Sequence, residues 1–358
     1  MAFPTAAGYG NLPNGNFSPV IYSKQVQLAF RRASVAEAIT NSDYFGEIAN
    51  FGDSVKIIKE PEITVKNYAR GTQITAQDLD DEDFTLVVDQ ANYFAFKVDD
   101  IESAHSHVNF MSLASDRAAY RLRDQFDADV LGYLCGFQQS AKNAKAGTAR
   151  TTAPGTKAVA SAGADELLSS MKLDRTSFAG QLTTDGTAGD SIPLGPRLGG
   201  ETALSATLVS PLQVIARMGR LLDTQFVDSS GRWLVIDPVF FEILKDEDSR
   251  LLNGDFGGSG LQNGLVLNNL HGFKVYVSNS LPSVGTGPST SNAGAQSSNY
   301  GLIVAGHSSA VASAQQITKT ESYRDPDSFA DIVRGMHLYG RKILRPEAIA
   351  TARYNLGV

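Results

Sequence analysis

The chain has 358 residues, 42% hydrophobic and 19% charged, enough apolar side chain to bury one large core or two lobes and too much for intrinsic disorder. Its 31 Lys and Arg stand against 38 Asp and Glu, a formal net charge of -7, so the whole-molecule field repels polyanions and argues against a nucleic-acid reader. A single cysteine, Cys135, rules out an internal disulfide and any multi-cysteine metal site, and suits a reducing compartment.

The opening MAFPTAAGYGNLPNG has neither a positive start nor an apolar h-region, and no later run approaches the ~18 apolar residues of a membrane span. No membrane is expected, and synthesis in the cytoplasm is. Residues 1 to 20 are rich in Gly, Pro and Asn, with Phe3, Tyr9, Phe17 and Val20 scattered among them. This pattern predicts an extended arm whose aromatic anchors order against a neighbouring subunit. In residues 23 to 48, Val26, Phe30, Ala33 or Ser34, and Glu37 or Ala38 recur at helical spacing, predicting a short helix that ends near Asn41.

From 55 to 98 the period falls to two, the mark of strands. Val55, Ile57, Ile63 and Val65 form the outgoing arm, and Phe84, Leu86 and Val88 alternate with Thr85, Val87 and Asp89 on the return. The polar stretch 66 to 83 between them is too long for a tight turn, so a long projecting hairpin is predicted, with Pro61 confining its strand to an edge or bulge. Two strands alone bury too little surface, so the projection should lie across another chain. Ile101, Ala104, Val108, Met111, Ala118, Leu122, Phe126, Val130 and Leu134 then follow a helical period that neither Pro nor Gly interrupts between 101 and 131. A helix from about 101 to about 140 would be roughly 60 Å long, a spine bordered by solvent. Asp116, Arg117, Arg121, Arg123, Asp124 and Asp127 are assigned to its charged face.

Residues 141 to 163 read as a linker, about 164 to 175 as a helix, and 180 to 202 as loop. A helix is predicted over 208 to 227 from its Ser210-Pro211 start. Residues 231 to 248 read as a strand, a break at Pro238 and a short helix, and 270 to 282 as one strand. Residues 284 to 299 read as a flexible loop, 299 to 316 as a strand turning into a helix or a second strand, and 331 to 355 as mostly strand.

Three motifs carry candidate chemistry. GHSSA at 306 to 310 follows an apolar strand as a nucleophile elbow would, and Ser308, Asp325 or Asp331, and His337 stand in the order of an α/β-hydrolase triad. Ala310 replaces the final Gly, and too few residues follow for that fold. Asp331 and His337 would also sit about 20 Å apart on one strand, so a strand-to-helix turn with polar caps is the simpler reading. His105 and His107, two apart on a helix, point away from each other and do not share an ion. Asp78, Asp80, Asp81, Glu82 and Asp83 offer oxygen ligands for a hard cation but lack the Gly and Glu spacing of a calcium loop. Pairing with a neighbour's Arg31 and Arg32 fits them better. No nucleotide or zinc motif is present, and neither cofactor nor metal is expected.

The arm, the long hairpin and the overlong helix do not serve a self-contained globule. FTLVVDQANYFAFKVDDIE at 84 to 102 resembles the segment that closes the projecting E-loop and enters the spine helix of tailed-bacteriophage major capsid proteins. RDPDSFADIVRGMHLYGRKILRPEA at 324 to 348 resembles their C-terminal signature, and GRWLVIDPVFFEIL and LHGFKVYVSNSLP are similar to their axial-domain strands. The resemblance spans about 23 to 353 and implies the α+β Hong Kong 97-like fold. It maps an N-terminal arm to 1 to 50, an E-loop to 51 to 98, a peripheral domain to 99 to 205 with 311 to 358, and an axial domain to 206 to 310.

It further implies a major capsid protein with no enzymatic activity, forming pentamers and hexamers of itself that close into an icosahedral shell around double-stranded DNA. A separate scaffolding protein and a portal protein are the implied partners, and use of a decoration protein is left open. The candidates for inter-subunit contact are Phe17, Arg31, Arg32, Lys66, Arg70, Asp80, Asp81 and Asp83. Some family members cross-link covalently, which directs attention to Lys66 and Asn355, but no cross-link is expected here. The competing readings are an encapsulin-like cellular shell that stores cargo, and a serine hydrolase using Ser308.

Overall fold

The computed structural model describes residues 34–41, 54–58, 63–71, 73, 76, 83–88, 90–99, 110–135, 167–179, 182, 190–195, 208–244, 269–281, 283–284 and 300–356. A short helix α1, Ala36–Ile39, ends beside Asn41, which bridges in parallel to Ala312. The root of the predicted hairpin is present. Strand β1, Ser54–Ile58, pairs antiparallel with β2, Asp83–Val87, from Ser54 opposite Val87 to Ile58 opposite Asp83. The outgoing strand stops earlier than its alternation predicts: Ile63 and Val65 lie outside any ladder, Val65 at 92% exposure. Alternation supplies a face, but a strand also needs a partner for its backbone groups.

Strand β3, Gln90–Asp99, leaves that hairpin for another sheet, and α2, Phe110–Leu134, follows it. The 25 described residues of α2 span about 37 Å, and the helix closes in a turn at Cys135, short of the predicted end near 140. Residues 101 to 109, with His105 and His107, lie outside the described residues. Asp127 is a second correction: it is 1% exposed, because helix α1 covers that position.

The helix predicted over about 164 to 175 is replaced, from Leu167 onward, by a short turn, strand β4 at Lys172–Leu173, and a second turn at Arg175–Phe178. Asp174 decides this locally. Its carboxylate accepts from the Ser177 N–H at 3.2 Å and the Ser177 hydroxyl accepts from the Asp174 N–H at 3.2 Å, a capping box that starts a new turn. The stretch read as loop over 180 to 202 hides β5, Ile192–Leu194, whose three residues are all buried.

Helix α3, Pro211–Thr224, begins at its Ser-Pro start, and β6, Arg232–Ile236, is followed by α4, Pro238–Leu244, as the sequence predicts. The single strand expected at 270 to 282 is instead a hairpin of β7, Asn269–Leu270, and β8, Phe273–Val277. His271 and Gly272 join them with φ of 50° and 83°, the double positive φ of a tight turn that keeps the strands' twist. After β9, Ser283–Val284, come β10, Tyr300–His307, and β11, Val311–Arg324, so the segment over 299 to 316 resolves as two strands. Strands β12, Ala330–Ile343, and β13, Ile349–Leu356, complete the chain.

The strands order as β4-β13-β10-β6-β8-β7 in one mixed sheet, with β5 also on β13 and β9 also on β10. Leu234, Ile236, Ile303, Ala305, Ala350, Ala352 and Tyr354 pack with α3 and α4, while Trp233, Val235, Leu302, Val304 and Ile349 pack with α1 and α2. Covering both faces explains why WLVI and LIVA read as unbroken apolar runs instead of alternating ones. Outside this core, β11, β12 and β3 form a long antiparallel sheet in that order, bulged between Gln315 and Ile317. Fourteen residues at about 3.4 Å each carry β11 and β12 nearly 50 Å. The architecture is α+β.

Candidate assembly surfaces

The projecting parts meet the body at one buried polar junction. Val35, at the N-cap position of α1, brings no capping side chain, so the first amides of that helix need an outside acceptor. Asp127 of α2 supplies it. One carboxylate oxygen accepts from Val35 N–H at 2.7 Å, Ala36 N–H at 2.8 Å and the Ser34 hydroxyl at 3.2 Å. Two residues on, Asp129 pairs with Arg341 of β12 at 3.0 Å, the two side chains only 11% and 8% exposed. Tyr339 donates its hydroxyl to Asp129 at 3.1 Å and accepts from the Asn92 side-chain amide of β3 at 3.3 Å. The Arg341 guanidinium lies 5.0 Å over the Tyr133 ring, whose hydroxyl accepts from Ile343 N–H at 3.3 Å. One network therefore fixes α2, β12 and β3 against one another.

Aromatic packing closes the junction. Phe126 meets Tyr339 edge-on at 5.0 Å and His337 at 5.7 Å, and His337 stacks on Tyr339 at 5.1 Å. Burial lowers the His337 pKa, only partly opposed by the charge of Glu37. Burial, reinforced by the charge of Asp129, pushes the Tyr339 phenol well above its usual range.

The hairpin root is seated beside this network. Leu86 and Val88 are buried with Ala312, Ala314 and Leu344, and β2 crosses β12 where Gly340 lets the Val87 carbonyl approach. A Cβ at Gly340 would collide with that carbonyl, a backbone atom that cannot swing aside. Gly340→Val is expected to lose about 1–3 kcal/mol in urea unfolding and to displace the hairpin root. Wild-type stability in that variant would show the crossing to be loose.

Beyond these anchors lie large apolar side chains that the chain does not cover. Ile63, Val65 and Tyr68 are exposed on the segment past β1, with Lys66 and Arg70 among them. On the outer face of the long sheet Tyr93, 81% exposed, stands opposite Met336, and Tyr323 stands opposite Ile332. Arg334 pairs with Glu321 at 2.9 Å and lies 5.0 Å over Tyr323 on that face. Phe329 is exposed near one end of the sheet. Of the other predicted contact residues, Asp83 is paired through its backbone with Ile58, and Phe17, Arg31, Arg32, Asp80 and Asp81 lie outside the described residues. Spacing along the chain does not reveal the junction, because its members come from positions as far apart as Ser34 and Ile343; Asp127 and Asp129, set among Phe126, Ala128, Val130 and Leu131, are the available signal.

The hydrolase triad does not assemble. Ser308 sits in a strand-to-strand turn, not a strand-to-helix one, before Val311, while His337 lies six residues down β12 from Val311's partner Ile343, about 20 Å away. Asp325 is engaged by Lys97 at 2.7 Å and Ser328 at 2.6 Å, contacts that hold its carboxyl down at about 2. Asp331 faces Arg324. Asn355 is buried in β13. Among the described residues no group of three or more His, Cys, Asp or Glu is arranged to hold a metal, and no helix is long and apolar enough to cross a membrane.

One half-buried carboxyl stands apart. Asp237 accepts from the Phe240 N–H at 3.1 Å, capping α4, and from the Tyr354 hydroxyl. Burial outweighs both bonds and pushes its pKa up to about 6. The folded chain thus holds this proton more tightly than the unfolded chain. The stabilisation is complete below about pH 4 and is lost as pH rises through 6, a swing of about 3 kcal/mol. Asp237→Asn is expected to flatten this part of the stability profile in melts between about pH 4 and 7. An unchanged profile would place the titration elsewhere.

A doubly covered mixed sheet, a long outlying sheet and a hairpin rooted at its base define a shell-building fold, the Hong Kong 97-like fold of phage capsids. The structure is similar to that of Mycobacterium phage Che8, at 25% identity and TM-score 0.64, with 94% of this chain and 97% of that one covered. It is similar to the capsid of cyanophage P-SCSP1u at 18% identity and TM-score 0.63, covering 100% and 99% of the two chains. The mature capsid of bacteriophage PhiM1 aligns at 15% identity and TM-score 0.58, covering 94% and 91%. No curated protein matches the chain. The phage capsid protein model matches residues 59–352, and the chain belongs to that family. It is a major capsid protein, a structural component of the virion shell.

Proposed function

We propose that the chain assembles into pentamers and hexamers of itself that close into an icosahedral head around the double-stranded DNA of a tailed phage. The observation that carries this is the apolar surface left uncovered on the hairpin segment and the outer sheet face, Val65, Tyr68, Tyr93 and Met336, in a chain whose core is otherwise doubly sealed. Surfaces of that kind mark protein contacts, and in a shell the neighbours are further copies. A net charge of -7 favours enclosing DNA without gripping it. The working regions are an arm over 1 to 50, an E-loop over 51 to 98, a peripheral domain over 99 to 205 with 311 to 358, and an axial domain over 206 to 310. The mixed sheet joins the last two, since β4, β5 and β13 share it with β6 to β10.

Assembly in the host cytoplasm calls on a separate scaffolding protein and a portal protein. No catalytic role is assigned, because the hydrolase residues are dispersed and Asp325 is already engaged. Electron microscopy of the chain expressed with its scaffolding protein tests the reading, with chromatographic mass as the second measure. Closed particles of uniform size are expected. Particles loaded with enzyme cargo and no genome during infection would favour the cellular-shell reading, and a stable monomer with esterase activity would overturn both.

A further inference from the structure

Helix α3 ends in a conformation that its sequence does not favour. Val227 N–H reaches back to the Leu222 carbonyl at 3.1 Å and Phe226 N–H to the Asp223 carbonyl at 3.1 Å, the two bonds of a Schellman turn. Val227 packs against the core that holds Leu222, the apolar contact that accompanies such turns. The residue at the left-handed position is ordinarily glycine. Here it is Phe226, at φ 57°, with its side chain 97% exposed. A bulky side chain in that backbone region is strained, and among the described residues the ring has no contact that repays the strain.

The turn is also unusually well fixed. Arg232, itself buried, donates to the Val227 carbonyl at 2.6 Å, the Asp228 carbonyl at 2.8 Å and the Asp223 carboxylate at 2.7 Å. The Ser230 carbonyl lies 2.8 Å from His307 Nε2, and Ser308 N–H donates to the Gly231 carbonyl at 3.3 Å. An aromatic ring is thus held out on a rigid mount, the low-entropy presentation that makes a strong contact point. Asp223 is already paired with Arg232, but the exposed Asp228 carboxylate beside the ring adds a negative charge that disfavours packaged DNA as its partner and favours protein.

We propose that Phe226 is an inter-subunit anchor that inserts into an apolar seat on a second copy of this chain. The proposal rests on the shell reading, in which each copy is surrounded by others, and adds the residue through which one such contact is made. Phe226→Gly relieves the backbone and removes the ring. Its melting temperature is expected within about 2 °C of the parent or above it, while the concentration needed to form particles rises at least about tenfold. Particle formation at the parental concentration would overturn the anchor and leave the shell reading intact; failure of the parent chain to form particles with its scaffold would count against that reading instead. To identify the occupant, a photo-cross-linking benzoylphenylalanine replaces Phe226 in assembled particles. A covalent dimer of the chain is expected, whereas a link within one chain or to a different protein would overturn the assignment.

Discussion

Replacing Arg341 with methionine is expected to destabilise the folded chain by about 3–5 kcal/mol. The guanidinium is the positive partner of Asp129 at 3.0 Å, and both groups are nearly sealed from water. With Arg341 gone, the Tyr339 hydroxyl faces a carboxylate whose counter-charge has been taken away, and Tyr133 loses the cation over its ring. Urea unfolding measures the loss. The double replacement Asp129→Leu with Arg341→Met is expected to recover much of it, because removing both charges leaves no buried ion behind. A single variant as stable as the parent would mean that water reaches Asp129 and that the junction is not a closed network. Since the same residues tie α2, β12 and β3 together, particle yield should fall with the stability of the junction.

Deleting the hairpin tip, residues 66 to 82, is expected to leave a soluble folded chain and to abolish closed shells. The root keeps its anchors when the tip goes: Leu86 and Val88 remain buried with Ala312, Ala314 and Leu344, and β1 still pairs with β2. What disappears is the exposed stretch carrying Lys66, Tyr68 and Arg70, which contributes nothing to the described core. Deleting residues 1 to 20 should behave alike if the arm serves neighbours. Circular dichroism and size-exclusion chromatography report the fold, and electron microscopy reports closure. Normal particles from both truncations would refute the argument that these segments act between subunits.

Much of the fold was legible because its signals are local. Ser210-Pro211 opens α3 and Pro238 opens α4, since proline sets the backbone angle of a first turn and lacks an amide that would go unpaired there. Alternation around Val55 and Leu86 located the hairpin, and the family-like segments at 84 to 102 and 324 to 348 became β2, β3 and the long β12. Local signals also misled. Apolar residues from Leu167 to Phe178 have a helical look, yet Met171, Leu173 and Phe178 reach the core through two tight turns separated by a strand that borrows its ladder from β13. Asp127 reads as a solvated charge by its neighbours in sequence, and becomes the cap of a helix 91 residues earlier.

The sequence by itself determined the periodic elements, their punctuation and the family, because period, proline and turn chemistry act over a few residues and survive in any context. The tertiary structure alone decided that β3 abandons the hairpin for β12, that Gly340 must admit the Val87 carbonyl, and that Asp129, Arg341, Tyr339 and Asn92 satisfy one another. These are consequences of burial. A polar group removed from water must find its partner wherever the chain brings one, and that partner is set by packing across hundreds of positions, not by spacing along the chain.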